Sequence, residues 1–111
     1  MLINFNEIND TVLDHFNGGE GRVIAKLFKD GDNRILKGVL EPGSSVGLHT
    51  HTGNSEIVFI LSGTGKALYD GVYETVAPGS CHYCPKDHEH SLINDGQENL
   101  VFVAVVPRHG A

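Results

Sequence analysis

The chain has 111 residues, enough for one compact domain with a single hydrophobic core. Its formal net charge is -6, from eight Lys and Arg against 14 Asp and Glu, which argues against binding to nucleic acid or to an anionic membrane surface. The sequence does not begin with a basic region and an apolar run, and no stretch approaches the ~20 apolar residues of a membrane span. We therefore expect a soluble, cytoplasmic protein.

The first 21 residues are the least regular part of the sequence. A short helix is predicted from a cap at Asn9 or Asp10 to Phe16, and the flexible run Asn-Gly-Gly-Glu-Gly follows at 17–21. We interpret residues 1–21 as an N-terminal arm that lies outside the functional site, and residues 22–111 as the folded domain.

From residue 22 onward, short β-favouring runs alternate with turn residues. The first two runs form a predicted hairpin around the Asp-Gly-Asp-Asn turn at 30–33. In all, nine strands are predicted, at 22–29, 34–40, 46–51, 56–61, 65–69, 72–76, 80–84, 89–94 and 100–106. Because no helical stripe of useful length appears after Gly21, the pattern predicts an all-β sandwich, jelly roll or small barrel.

Two of these runs, 56–61 and 100–106, are apolar at nearly every position. A strand of this kind is expected to be covered on both faces, one by the barrel interior and the other by a second sheet or a second subunit. A partner sheet would provide that cover, and we therefore expect a homodimer.

Three metal-ligating residue types are close together at 49–56. His49 and His51 are two residues apart on a predicted strand, so both imidazoles leave the same face. Glu56 opens the next strand after a tight connection, and a hairpin would bring its carboxylate beside the two histidines. The pattern predicts a site with at least three ligands.

His90 is the fourth candidate ligand, because closure of a barrel would bring it opposite the other three. His88 lies two residues away and would share its face, so strand geometry alone allows either residue to point inward. Three neutral imidazoles and one carboxylate favour a divalent transition metal such as Mn, Fe, Ni, Co or Zn over Ca or Mg.

The spacing of these residues resembles the two sequence motifs of the cupin family. The first motif is matched by Gly43-x5-His49-x-His51-x4-Glu56-x6-Gly63, and the second by Gly79-x5-Pro85 followed by His90-x3-Asn94. The one departure is Asp87, where the second motif usually has Gly, and Asp tolerates a left-handed turn conformation better than most residues do. The resemblance implies a double-stranded β-helix, the cupin jelly-roll barrel, with His90 rather than His88 as the metal ligand.

The predicted strand 80–84 carries the remaining candidate residues. His82 and Cys84 share one face and Cys81 and Tyr83 share the other, so one of these pairs faces the barrel interior and Cys81-x-x-Cys84 cannot form a chelate on its own strand. An inward-facing His82 or Tyr83 is a candidate proton donor, although buried His and Tyr are commonly packing residues.

The resemblance implies two classes of function. The first is a metalloenzyme of the oxygenase, isomerase, decarboxylase or lyase type, acting on a small oxygen-rich metabolite that chelates the metal. The alternative is a binding module that captures a small molecule or a metal without catalysis. The barrel fold does not select between them, whereas a positioned acid or base beside the metal would favour the enzyme.

Overall fold

The structure is a computed structural model that describes residues 1–110. These residues contain ten antiparallel strands. The strands are β1 (Thr11–Asp14), β2 (Arg22–Lys29), β3 (Asn33–Leu40), β4 (Ser45–Thr50), β5 (Glu56–Ser62), β6 (Gly65–Tyr69), β7 (Val72–Val76), β8 (Cys81–Cys84), β9 (Glu89–Ile93) and β10 (Leu100–Pro107). All nine strands predicted from the sequence are present, with ends that differ by at most one residue.

The helix predicted up to Phe16 is wrong. Thr11–Asp14 forms strand β1, which pairs with β2 in the register Thr11↔Ala25 to Asp14↔Arg22. Pairing with a neighbouring strand outweighs the weak local preference of this segment. Two short 3₁₀ helices, Phe5–Glu7 and Phe16–Gly18, flank β1, and no helix within residues 1–110 is long and apolar enough to cross a membrane.

The strands form two sheets that face each other. The larger sheet has the order β1-β2-β3-β10-β5-β8 and the smaller has the order β4-β9-β6-β7. Consecutive strands such as β4 and β5 lie in different sheets, so the chain winds between them as a double-stranded β-helix. The boundary at residue 21 stays a prediction, and the predicted domain ends at Ala111, which lies outside the described residues.

The side chains that form the core between the sheets alternate along each strand with side chains that face outward. On β10, Leu100, Phe102 and Ala104 are buried, while the intervening valines are partly exposed on the outside. Gly38 on β3 leaves room for the Phe102 ring, because an added Cβ would lie 2.5 Å from the Cζ atom of that ring. The core therefore fills the barrel below the site.

The outer face of β5 is not covered within the single chain. Phe59 and Leu61 are 46% and 50% exposed, although both belong to the apolar run predicted to be covered on both faces. The second sheet packs against the inner face only, so cover of the outer face by a second subunit stays a prediction.

Candidate metal centre

The four predicted ligands His49, His51, Glu56 and His90 meet at one end of the barrel, with all four ligand atoms within 4.8 Å of one another. His49 lies on β4 opposite His90 on β9, and Glu56 is the first residue of β5. His51 follows the end of β4, where its backbone N–H donates to the carbonyl of His88 and its carbonyl accepts from the N–H of Asp87. Ligands from both sheets therefore converge.

A β-bulge in β4 orients the first histidine. Val46 pairs with Leu92 and His49 pairs with His90, so β4 has one more residue than β9 between these pairs. The extra residue allows both Val46 and His49 to face the interior, although they are three residues apart. It also brings the carbonyl of Gly47 to 2.7 Å from the Nδ1 atom of His49.

Hydrogen bonds at Nδ1 prepare two of the imidazoles for a metal. The Nδ1–H of His49 donates to the carbonyl of Gly47, and that of His51 donates to the Oδ1 atom of Asn54 at 2.6 Å. A neutral imidazole carries one proton, so a donor at Nδ1 leaves a lone pair at Nε2. The Nε2 atoms of both residues point into the cluster.

The third imidazole is held by a chain of hydrogen bonds that runs through the buried His82 to the half-exposed Glu74. His90 Nδ1 lies 2.9 Å from His82 Nε2, and His82 Nδ1 lies 2.6 Å from the Oε1 atom of Glu74. The carboxylate accepts from His82 Nδ1–H, so His82 Nε2 accepts from His90 Nδ1–H and the His90 Nε2 lone pair faces the cluster. The two rings stack with an interplanar angle of 18°.

Burial and contacts within the cluster shift three pKa values. Burial raises the pKa of Glu56, but the hydrogen bonds that His49, His51 and His90 donate from Nε2 when they are protonated outweigh it and hold the pKa well below its usual range. Burial lowers the pKa of His51, but hydrogen bonds to Glu56 and Asn54 raise it by a larger amount, so the net shift is upward. The pKa of His90 is lowered, mainly by burial. An anionic Glu56 is the form that binds a cation.

The donor atoms fit a transition metal. The three Nε2 atoms are 3.1, 2.9 and 3.2 Å apart, and Glu56 Oε1 lies 2.9 Å from His90 Nε2 and 3.2 Å from His51 Nε2. Metal–nitrogen bonds of about 2.1 Å at right angles place two nitrogens about 3.0 Å apart, against about 3.4 Å for a tetrahedron. Lone pairs and a carboxylate directed at one point repel one another unless a cation lies between them. The site therefore fits a six-coordinate divalent ion.

One cavity borders the cluster, and a larger cleft lies near it. Below it, a cavity of about 20 Å³ is lined mainly by apolar side chains, including Phe16 and Phe102, together with Glu56 and His90. This space holds about one water molecule. A cleft of about 260 Å³ lies at the barrel end, where Asn54 forms part of its wall. The inner cavity is therefore too small for a ligand larger than water.

The predictions for β8 and β9 have separate outcomes. His90 is 2% exposed and belongs to the cluster, whereas His88 hydrogen-bonds to Asp70 and Tyr69 outside it. His82 faces inward but lies behind His90, and Tyr83 points outward and is 53% exposed. This position does not support Tyr83 as a proton donor at the cluster.

Cys81 and Cys84 lie on opposite faces of β8, as the strand period predicts, and Asp87 lies in the turn before β9. The Cys84 thiol is buried and Cys81 is exposed on the opposite face, and both are free. Burial, followed by the nearby Glu56 and Asp70 carboxylates, raises the pKa of Cys84 to about 12, so this thiol stays protonated. Asp87 adopts a left-handed conformation with φ of 71°, the role that Gly usually has in the motif.

Sequence reasoning missed four contributors to the site: Phe16, Gly47, Asn54 and Glu74. Phe16 comes from the N-terminal arm, so the expectation that the arm lies outside the site is wrong. Asn54 had a signal, since it lies in the short connection between two ligands. No feature of the sequence pointed to Glu74, because its contact with His82 depends on how β7 lies against β8.

Fold and site together define a class: a double-stranded β-helix with a three-histidine, one-carboxylate cluster at one end. The sequence pattern of the family described as "Cupin domain" matches residues 37–106, which include all four cluster residues. The chain belongs to the cupin family.

Known proteins agree with this assignment. An oxalate-binding protein from Thermotoga maritima is 32% identical over 112 residues, covering 96% of this chain and 93% of that protein. The crystal structure of a predicted oxalate decarboxylase from Thermotoga maritima is 31% identical, covers 97% of this chain and 99% of that chain, and has a TM-score of 0.91. The cupin domain of Cnp3 from Schizosaccharomyces pombe is 12% identical with a TM-score of 0.79, covering 97% of this chain and 74% of that one, and shows the fold alone.

Proposed function

We propose that the protein binds a divalent transition metal through His49, His51, Glu56 and His90 and, through that metal, a small bidentate carboxylate such as oxalate. The observation that carries the proposal is the cluster itself, with four donor atoms within 4.8 Å and each Nδ1 directed at an acceptor. Four protein ligands leave about two positions of a six-coordinate ion open. Such an ion would supply a Lewis acid that holds two oxygen atoms of one ligand.

The choice of oxalate as the probe rests on the relatives. A relative from Thermotoga maritima is described as an oxalate-binding protein, and a crystal structure from the same species is described as a predicted oxalate decarboxylase. Each match covers nearly the whole length of this chain.

Cobalt substitution tests the proposal directly. We expect about one Co²⁺ per chain and a change in the visible spectrum when oxalate is added, because the ligand replaces water in the open positions. The double variant His49→Ala/His51→Ala should lose the metal, whereas His88→Ala, outside the cluster, should keep it. Absence of metal after reconstitution, or a spectrum that oxalate does not alter, would contradict the proposal.

A metalloenzyme acting on the same class of ligand is the second candidate, favoured by the relative described as a predicted oxalate decarboxylase. Binding alone is better supported, because His82, the non-ligand titratable residue that hydrogen-bonds to the cluster, lies behind His90 on the closed side. Formate or carbon dioxide released from oxalate by the metal-loaded protein, but not by the double variant, would favour the enzyme.

We also propose a homodimer formed through the outer faces of β5 and β8. Phe59, Leu61 and Tyr83 are 46%, 50% and 53% exposed there. β8 is an edge strand of the larger sheet, and exposed apolar residues beside an edge favour association.

A further inference from the structure

The cleft at the end of the barrel has a small excess of basic side chains in an acidic protein. Lys29, Arg34 and Arg108 line it, three of the eight Lys and Arg in a protein with a net charge of -6. Asp30 and Asp32 also line it, but Asp30 Oδ1 accepts hydrogen bonds from the backbone N–H groups of Asp32 and Asn33. The basic side chains outnumber the acidic ones by three to two.

Arg34 lies on the inner face of β3. Arg34 is two residues from Leu36 and six from Leu40 on the same strand, so its side chain points to the same, inner face as these buried residues. Its strand neighbour on β10 is Val106, which is buried and forms part of the cleft wall. The guanidinium therefore lies at the inner edge of the cleft rather than on the outer surface.

The Nε atom of Arg34 is buried and has no hydrogen-bond partner among residues 1–110. The Cζ atom lies 5.8 Å from the centre of the Phe16 ring, which supports the guanidinium from one side. A buried donor without a partner costs stability unless an acceptor reaches it, and an unpaired guanidinium favours a carboxylate as that acceptor.

The cleft and the metal centre share structural elements. Asn54 lines the cleft and accepts the hydrogen bond from His51 Nδ1. Phe16 contacts Arg34 and also lines the small cavity beside Glu56 and His90. Arg34 on β3 and Glu56 on β5 both face the interior at this end of the larger sheet, and only β10 separates their strands.

We propose that the cleft is an anion subsite in which Arg34, with Lys29 and Arg108 beside it, binds the carboxylate oxygens of the metal-held ligand that point away from the cluster. The inference rests on the proposed function and extends it, because it makes a doubly anionic ligand the preferred class. A ligand with one carboxylate binds only the metal, whereas a small dicarboxylate binds both the metal and the guanidinium.

Calorimetric titration of the cobalt-loaded protein with oxalate and with acetate tests the subsite. Arg34→Gln should weaken oxalate binding about tenfold or more, because a charge-assisted hydrogen bond is lost, and should change acetate binding much less. The metal affinity should not change. The matched control is Arg22→Gln, which removes the same charge at the far end of β2, where Arg22 pairs with Glu41.

A second variant, Arg34→Lys, keeps the charge but loses the planar fork, and should weaken oxalate binding severalfold. Wild-type oxalate affinity in a folded Arg34 variant would overturn the inference and leave the proposed function standing. Loss of metal from Arg34→Gln would also overturn it, since Arg34 would then support the cluster rather than the ligand. A wild-type protein that binds metal but no oxalate would contradict both proposals.

Discussion

At the scale of single residues, the orientation of His90 depends on a histidine that is not itself a ligand. His82 is 3% exposed and forms hydrogen bonds to both His90 and Glu74. Such a contact fixes the tautomer and the ring orientation of a metal-binding histidine. His82 is therefore a positioning residue for the metal, and metal affinity is the quantity that reports on it.

Removing the acceptor at position 82 should weaken metal binding. We expect His82→Leu to raise the metal Kd by about 10–100-fold, the usual effect of losing such a partner, and His82→Gln to restore much of it because its carbonyl oxygen accepts from His90 Nδ1–H. A competition titration with a chelator measures both. Tyr83→Leu, on the outer face of the same strand, is the control. Equal affinities for the Leu and Gln variants would contradict a positioning role.

Acid should release the metal, and protonation of His51 should set the lowest pH at which the metal stays bound. The pKa of His51 is raised and that of His90 is lowered, so of these two residues His51 takes up a proton first as the pH falls. A protonated imidazole has no lone pair, so below the pKa of His51 the logarithm of metal affinity should fall by about one per pH unit for each proton displaced.

Metal affinity measured by competition titration across the weakly acidic to neutral range checks this expectation. The control variant His88→Ala should show the same pH profile, because His88 lies outside the cluster. An affinity that does not change on acidification would mean that these histidines are not the ligands.

At the scale of secondary-structure elements, the bulge in β4 is tightly packed against the N-terminal arm. A Cβ added to Gly47 would lie 2.0 Å from the carbonyl oxygen of Asn17 and 2.7 Å from the backbone N atom of Gly19. Both neighbours are backbone atoms and cannot rotate away. The same glycine supplies the carbonyl that accepts the Nδ1–H of His49.

Gly47→Ala should therefore lower the free energy of unfolding by about 1–3 kcal/mol, the typical cost of overpacking, and should weaken metal binding as well. Urea denaturation of the metal-free protein measures the first effect without the second. Gly31→Ala is the matched control, since an added Cβ there meets no atom within 4 Å and the free energy should change by less than about 0.5 kcal/mol. Equal stabilities of the two variants would contradict the packing argument.

The strands and the ligand cluster were predictable because both follow local periodicities. Alternation defined nine strands, and the spacing of His49 and His51 placed both side chains on one face. The strand β1 was not predictable, because its residues pair with β2 only through long-range register. For the same reason the sequence did not reveal which face of β8 points inward, since only the pairing Glu56↔Cys84 fixes it.

At the scale of the whole molecule, the exposed apolar residues of β5 predict self-association. Phe59 lies opposite Val103 of β10 and Cys81 of β8, on the outer face of the larger sheet and one strand away from its β8 edge. We expect light scattering to give a dimer mass at micromolar concentration, and Phe59→Lys to shift it toward the monomer because a charge there opposes burial. Val72→Lys, an exposed apolar site on the other sheet, is the control. A monomer mass for the wild type would contradict the prediction.

The cluster draws its ligands from both sheets: Glu56 begins β5 of the larger sheet, and His49 and His90 lie on β4 and β9 of the smaller one. A bound ion would therefore act as a cross-link, and the sheets could not separate until one side released it. The bound ion should mainly slow unfolding, because its bonds to the two sheets must break before the transition state for unfolding is reached. Stripping the ion with a chelator should shorten the half-life of the native state in denaturant, measured by stopped-flow fluorescence of the tyrosines, while the refolding rate changes little.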